Sequence, residues 1–242
     1  MIHLALRNLF QNKMRLLISV GGAALALLLI LALDAIFSGV EQRVTAYIDN
    51  SGADIWVSQE DVFNMHMASS SLPDSVARKV KTIPGVASVS PILYLTNNVV
   101  VGDERNLAYI IGLPKNATLG LPWNVSAGKK WPRKGEAIID GNVAEKSGIG
   151  LGDEVEIMGE DFTVVGLTQE TSSLTNSIAF VSMKDFETIR NNNGTFSFLL
   201  VKIRDGQSPE VIAHEIESRI RDVTAQTRIQ FAGQERKVIK DM

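Results

Sequence analysis

Backbone N–H groups in a glycine-rich loop can cradle phosphate, and the stretch EKSGIGLGDEVEI (145–157) carries Gly148, Gly150 and Gly152. Nucleotide binding is therefore the first chemistry to weigh. The Walker pattern G-x-x-x-x-G-K-[ST] does not occur in the sequence. A dinucleotide loop places its glycines between a strand and the helix that follows. Here the order is reversed, with a short helix NVAEKS before Gly148 and a strand DEVEIM after it. Glycine after a helix is a C-cap, and glycine ahead of a strand makes a turn. The loop is expected to turn a corner, and no cofactor is expected.

Other side chains with chemical potential are few. The histidines are His3, His66 and His214, too far apart in sequence and too poorly accompanied for a triad or a histidine-cluster metal site. Met65, His66 and Met67 are soft ligands for copper(I), but three adjacent residues make a thin site. The stretch Gln59–Ser71 reads instead as a flexible loop. Its Val62, Phe63 and Met65 are expected to be exposed and, with His66 and Met67, to offer a partner or substrate contact. KKWPRK (129–134) has the look of a basic nucleic-acid patch, yet it is short and the chain carries a formal charge of −3. It reads as a solvated turn, and no nucleic-acid partner is expected. The sequons at Asn116, Asn124 and Asn193 matter only in a eukaryotic secretory pathway. Carboxylates such as Asp140, Asp153 and Asp161 show no legible pairing. With no cysteine in the chain there is neither a thiol nucleophile nor a disulfide framework. No catalytic residue and no metal site emerge, so the chain is not read as an enzyme.

What must position these residues begins in a membrane. From Leu16 to Leu33, LLISVGGAALALLLILAL has no charge over 18 residues. At 1.5 Å per residue this is roughly 27 Å, close to the apolar thickness of a bilayer. A cleaved signal peptide would carry a shorter apolar region ending in a small-x-small site, and a buried core helix is rarely apolar on every face. The expectation is a retained membrane helix over 14–37. Arg7, Lys13 and Arg15 precede it, while Asp34 and Glu41 lie at its far end, so the N-terminus is expected in the cytoplasm and the main domain outside. Residues 1–13 place Ile2, Leu6, Leu9 and Phe10 at helical spacing, as in an amphipathic helix on the cytoplasmic surface. Ser19, Gly22, Ala23 and Ala26 form a small-residue face that would let another membrane helix approach. Later apolar runs are too short to be that helix, so it is expected outside these 242 residues.

Helical spacing of Phe37, Val40, Val44, Tyr47 and Ile48 continues to Asn50-Ser51-Gly52, predicting one helix over about 14–49 whose outer part, 38–50, is a stalk. Strand–helix–strand patterns follow in 51–112 and again in 195–232. The first has ADIWVSQ (53–59), a helix over 73–83, and strands meeting at a Gly102-Asp103 turn. The second has a strand at 195–206, a helix with Ser208 as N-cap and Pro209 at N1, and a strand TRIQF (227–231). Two such units can share one sheet in the split βαβ manner. Between them, 113–194 reads as an inserted smaller subdomain, with strands EAIID, EVEIM, FTVVGL and SIAFV and a short helix near Met183–Arg190 capped by Ser182. The fold class is α+β. Residues 233–242 are expected to lead toward a second membrane helix.

In this order the segments resemble the FtsX-like, or MacB-type, ABC transporter permeases. The likeness rests on LALRNLFQNKMRLLISVGGAALALLLILAL, GADIWV, IPGVASVSP, YIIGL, KGEAIIDGNVAEKSGIGLGDEVEI and VVGL, followed by a closing helix-and-strand unit. It covers essentially the whole chain, and the GEAIIDGNVAEKSGIGLGDEV block is its most telling part. The resemblance implies a bacterial inner-membrane permease whose first membrane helix carries a periplasmic domain of two subdomains. It also implies three further membrane helices, a separate cytoplasmic ABC ATPase and a second permease copy, as homodimer or heterodimer. In some members a periplasmic adaptor takes part. ATP-driven movement would pass through the stalk as a mechanical relay for export, with ATP held by another polypeptide. The chain stops at FAGQERKVIKDM, where a second membrane helix would approach, so it is read as a fragment, a split subunit or a single-span protein. The alternative function is a single-span sensor or adaptor module with no transport role.

Overall fold

A computed structural model describes residues 13–65, 69–172, 176–191 and 194–240. Residues 1–12 of the expected surface helix, together with His66, Met67 and the side chains of Phe37 and Val40, lie outside the described residues. The chain divides into two compact units, Met1–Gln42 and Arg43–Met242.

The first unit is carried by helix α1 (Lys13–Val44), whose 32 residues span about 48 Å at the α-helical rise. Its segment Lys13–Ile36, 24 residues with mean hydropathy 2.7, is long and apolar enough to cross a membrane. Ser19, Gly22, Ala23 and Ala26 are all exposed, and a Cβ added at Gly22 would meet nothing within 4 Å.

One continuous helix over 14–49 is not what forms. The helix breaks at Thr45, where ψ is 1°, and resumes as α2 (Ala46–Asn50). Thr45 O accepts the first bond of the new helix from Asp49 N–H at 2.9 Å, and Thr45 Oγ1 donates to Asp49 Oδ2 at 2.8 Å across the same turn. Asp49 in turn pairs with Arg228 at 3.2 Å and Arg236 at 3.4 Å. These distant arginines anchor α2, and no helical periodicity could reveal them.

The second unit is built on a ten-stranded sheet. Its strands are β1 (Ile55–Gln59), β3 (Val86–Val101), β4 (Glu104–Leu113), β5 (Val125–Gly128), β6 (Glu136–Asp140), β7 (Glu154–Ile157), β8 (Glu160–Thr168), β9 (Ser177–Ser182), β11 (Phe198–Ile203) and β12 (Val223–Thr227). The order is β12-β1-β11-β3-β4-β9-β6-β8-β5, with β7 against β3 and β8. Short strands β2 (Leu72–Pro73) and β10 (Thr195–Phe196) pair separately. Strands β1 and β3 both run antiparallel to β11, which lies between them, and α3 (Asp74–Lys81) connects them. Strands β11 and β12 flank β1 in the same way, connected by α6 (Pro209–Arg219). This interleaving is the split βαβ arrangement. The sheet continues into the 113–194 segment through the parallel pairing of β4 with β9.

Alternation assigns the two faces. Ile55 and Val57 of β1, with Leu199 and Val201 of β11 and Ala179 and Val181 of β9, enter one core that includes Val76 and Val80 of α3 and Ile212 and Ile216 of α6. Trp56, Phe198, Leu200, Ile178 and Phe180 enter the opposite core. Tyr47 and Ile48 sit in that second core at 4% and 1% exposure. Their apolar spacing therefore serves packing against the sheet, a use that periodicity alone does not distinguish from a stalk seam.

TRIQF does not continue as a strand. Strand β12 ends at Thr227, and α7 (Arg228–Lys240) begins at once. Gln230 N–H donates to Thr227 Oγ1 at 3.2 Å, and Thr227 N–H donates to Gln230 Oε1 at 2.9 Å. This reciprocal pair is a capping box, which the T-x-x-Q spacing already encodes.

Candidate functional site

The glycine loop lies between α4 (Gly141–Lys146) and β7. Gly148 and Gly152 take φ of +67° and +94°, and Ile149 N–H reaches back to Ala144 O at 2.9 Å in a Schellman-type closure. Gly150 N–H donates to Asp153 Oδ2 at 2.8 Å, and Gly152 N–H to Val164 O at 2.8 Å. The donors that would cradle a phosphate are spent on the chain itself. At the other end of α4, Asp140 is fully buried and caps the helix. It accepts from Asn142 N–H at 2.9 Å and from Thr171 Oγ1 at 2.5 Å.

The stretch after β1 is tied down. Val62 is 6% exposed and Met65 6%, both in the second core, while Phe63 is 43% exposed. Of the three residues expected to be exposed, Phe63 alone is. Some ties are internal and others come from far along the chain: Gln59 N–H donates to Ser70 Oγ at 2.9 Å, and Asp61 N–H to Thr224 Oγ1 at 3.1 Å. Ser58 Oγ donates to Val62 O at 2.5 Å, and Met65 N–H donates to the buried Glu235 carboxylate on α7. A loop without periodicity gives no sign of such fastening.

The chain has three tyrosines: Tyr47 and Tyr109 line a small pocket with Met65, and Tyr94 packs against the same core. Tyr47 donates to Gly120 O at 3.1 Å and meets Trp56 edge-on at 5.9 Å. Tyr94 and Tyr109 lie 5.7 Å apart, and Asn176 Nδ2 donates to the Tyr109 hydroxyl. Burial pushes all three hydroxyls above the ordinary value of 10, Tyr109 to about 12 and the other two further. Below pH 10 folded and unfolded chains hold the same phenolic protons. Above it the unfolded chain releases protons that the folded chain retains, so stability falls as pH rises. Absorbance at 295 nm should therefore show almost no tyrosinate at pH 10.5 in the folded chain. It should then rise for all three tyrosines together when the chain unfolds, whereas a gradual titration centred near pH 10 would contradict their burial.

A cavity of about 1170 Å³ opens between the 113–116 turn, the 129–134 segment and the start of α5 (Met183–Arg190). The basic segment is exposed, as a solvated turn would be, and its two ends are pinned. Lys129 N–H donates to Val165 O at 2.8 Å, Lys129 Nζ pairs with Glu136 at 2.7 Å, and Gly135 N–H donates to buried Asp185 at 2.9 Å. Burial alone would raise the Glu136 carboxyl, but the Lys129 ammonium, the Arg133 N–H and the two nearby positive charges outweigh it and lower its pKa. Among the described residues no group of three or more acidic or histidine side chains is arranged to hold a metal.

The model of the MacB-like periplasmic core domain matches residues 16–219, most of the chain. The chain belongs to the MacB-like periplasmic core domain family. An uncharacterised ABC transporter permease of Mycobacterium tuberculosis strain H37Rv is 26% identical over 174 residues, covering 72% of this chain and 48% of the relative. A permease of Mycobacterium bovis is 22% identical over the same coverage. The chain thus spans about half the length of the curated relatives it matches. The fold of this MacB-like domain is shared with the periplasmic region of MacB from Actinobacillus actinomycetemcomitans, with TM-score 0.54 and 15% identity over 79% of this chain and 95% of that one. It is shared too with the extracellular domain of the noncanonic ABC-type transporter YknZ from Gram-positive bacteria, with TM-score 0.53 and 15% identity over 72% and 98%.

Proposed function

We propose that the chain is the N-terminal part of an ABC transporter permease that passes ATP-driven movement of membrane helices to an extracytoplasmic domain for export or extraction of a substrate. What carries this reading is the extent of the family match: residues 16–219 run from inside the apolar helix across the sheet-rich unit. Helix α1 is the first span, bathed in membrane lipid, with the N-terminus in the cytoplasm of a bacterial inner membrane. The face of Ser19, Gly22, Ala23 and Ala26 packs against another membrane helix of the permease or of its second copy. Phe37, Val40 and Val44 carry movement outward as a stalk, ending where Tyr47 and Ile48 lock into the core. Residues 113–194 act as the inserted smaller part of a domain framed by 51–112 and 195–232, and 233–242 lead toward a second membrane helix. ATP is bound and hydrolysed by a separate cytoplasmic ATPase. Phe63, with His66 and Met67 beside it in sequence, contacts substrate or a periplasmic adaptor.

The absence of cysteine makes the topology directly testable. Asn12→Cys and Asp103→Cys are placed singly on either side of the proposed span, Asp103 lying in the exposed β3–β4 turn. In intact cells a membrane-impermeant maleimide should label Cys at 103 and leave Cys at 12 unlabelled until lysis. The opposite pattern would place the sheet in the cytoplasm and remove the relay.

A further inference from the structure

The cavity beside β5 gathers charge from three parts of the sequence. Lys115 comes from the turn after β4, Lys129, Lys130, Arg133 and Lys134 from the segment between β5 and β6, and Lys184 from the first turn of α5. Against these six cations the lining holds one carboxylate, Glu187, in a chain whose formal net charge is −3. Only Lys129 is neutralised by an ion pair, with Glu136; the other five cations form none among the described residues. Like charges converging on one concavity repel one another and destabilise the fold, and a bound anion relieves that repulsion.

The cavity also has an apolar side. Leu113 and Met183 are buried beneath it, and the indole of Trp131 stands 48% exposed at its wall. A large exposed aromatic held next to a ring of cations suits a ligand with an apolar body and an anionic head. The walls are fixed in place. Gly128 holds φ of +80°, and a Cβ there would run into the Val165 carbonyl, while Asp185 pins the far end of the loop through Gly135 N–H. At about 1170 Å³ the cavity is somewhat larger than the roughly 300–1,000 Å³ usual for small-molecule sites, leaving room for a tail as well as a head group.

We propose that this cavity is a binding site for an anionic amphiphile, a molecule with a phosphate or comparable anionic group and an apolar tail, held by Lys115, Lys130, Arg133, Lys134 and Lys184 around the Trp131 indole. The site stands independently of the transport reading, since a single-span binding module could use it equally.

The test uses the full chain in a neutral maltoside detergent, titrated with lysophosphatidate and read by calorimetry and by tryptophan fluorescence. Lysophosphatidylcholine of the same tail length, inorganic phosphate and hexaglutamate are the comparison probes. Lysophosphatidate should bind saturably and shift the fluorescence, and Trp131→Phe should abolish that shift. Raising salt from about 50 to about 300 mM should weaken binding several-fold. The exposed pair Lys130→Glu/Lys134→Glu should weaken it at least about tenfold with the fold unchanged by circular dichroism. Unchanged affinity in that double variant would overturn the site. Equal binding of lysophosphatidylcholine would overturn its anion selectivity, and equal binding of phosphate alone would overturn the amphiphile class. Tighter binding of hexaglutamate than of lysophosphatidate would overturn the proposal in favour of an acidic polypeptide partner.

Discussion

Phe231→Ala should destabilise the sheet-rich unit by about 3–5 kcal/mol, the range for removing a fully buried phenyl ring from a packed core. The ring is 0% exposed, stacks on Trp56 at 4.8 Å with an interplanar angle of 11°, and meets Phe198 edge-on at 5.8 Å. Truncation leaves a cavity among these aromatics and detaches α7 from the face it covers. Ile229, two residues earlier, is 71% exposed, so Ile229→Ala should change stability by no more than about 0.5 kcal/mol. The contrast is diagnostic. In a strand, positions 229 and 231 point to the same face; in a helix they are about 200° apart. Chemical denaturation of the detergent-solubilised chain, followed by near-UV circular dichroism, would show similar losses for the two variants if 227–231 were a strand.

The second large effect is expected at Asp140. Replacement by Ala removes the acceptor for both Asn142 N–H and Thr171 Oγ1 at a position with no solvent access, and deletes the N-cap of α4. Losing an N-cap costs about 0.5–2 kcal/mol and leaving the buried Thr171 hydroxyl without its acceptor about 1–3 kcal/mol, so about 2–4 kcal/mol is expected. Asp140→Asn keeps one carbonyl acceptor and should lose roughly half as much. Thr168 Oγ1 lies 2.5 Å from Thr171 Oγ1, which extends the network toward Ile139 O. Thr171→Val should therefore be non-additive with Asp140→Ala, because both remove the same bond. Full additivity in denaturation midpoints would mean that the two side chains do not act together.

Much of the fold was legible because the signals were local. The apolar run of α1, the Ser182 and Ser208 caps with their side chains on Asp185 N–H and Val211 N–H, and the alternation in β1 and β11 each need only a few neighbouring residues to be read. The capping box at Thr227 was equally local, yet β-branched and aromatic composition pointed the other way, and the T-x-x-Q spacing should have decided it. What sequence could not show was contact at long range. The helix is interrupted at Thr45, and Asp49 one turn on is held by two arginines nearly two hundred residues later. Met65 is drawn in by Glu235 across 170 residues. The basic cavity is the clearest case. KKWPRK alone reads as a solvated turn, and only the fold brings Lys115 and Lys184 to it.

The central claim is that this domain works as part of a permease driven by a separate ATPase. The most direct measurement is to purify the natural gene product from its own membranes after mild cross-linking, and to determine both its partners by mass spectrometry and the ATP hydrolysis of the complex. The account predicts an ABC ATPase subunit in stoichiometric amount, with ATP hydrolysis that follows the complex through purification. A product that carries no ATPase subunit and hydrolyses no ATP would contradict it and leave a membrane-anchored binding module.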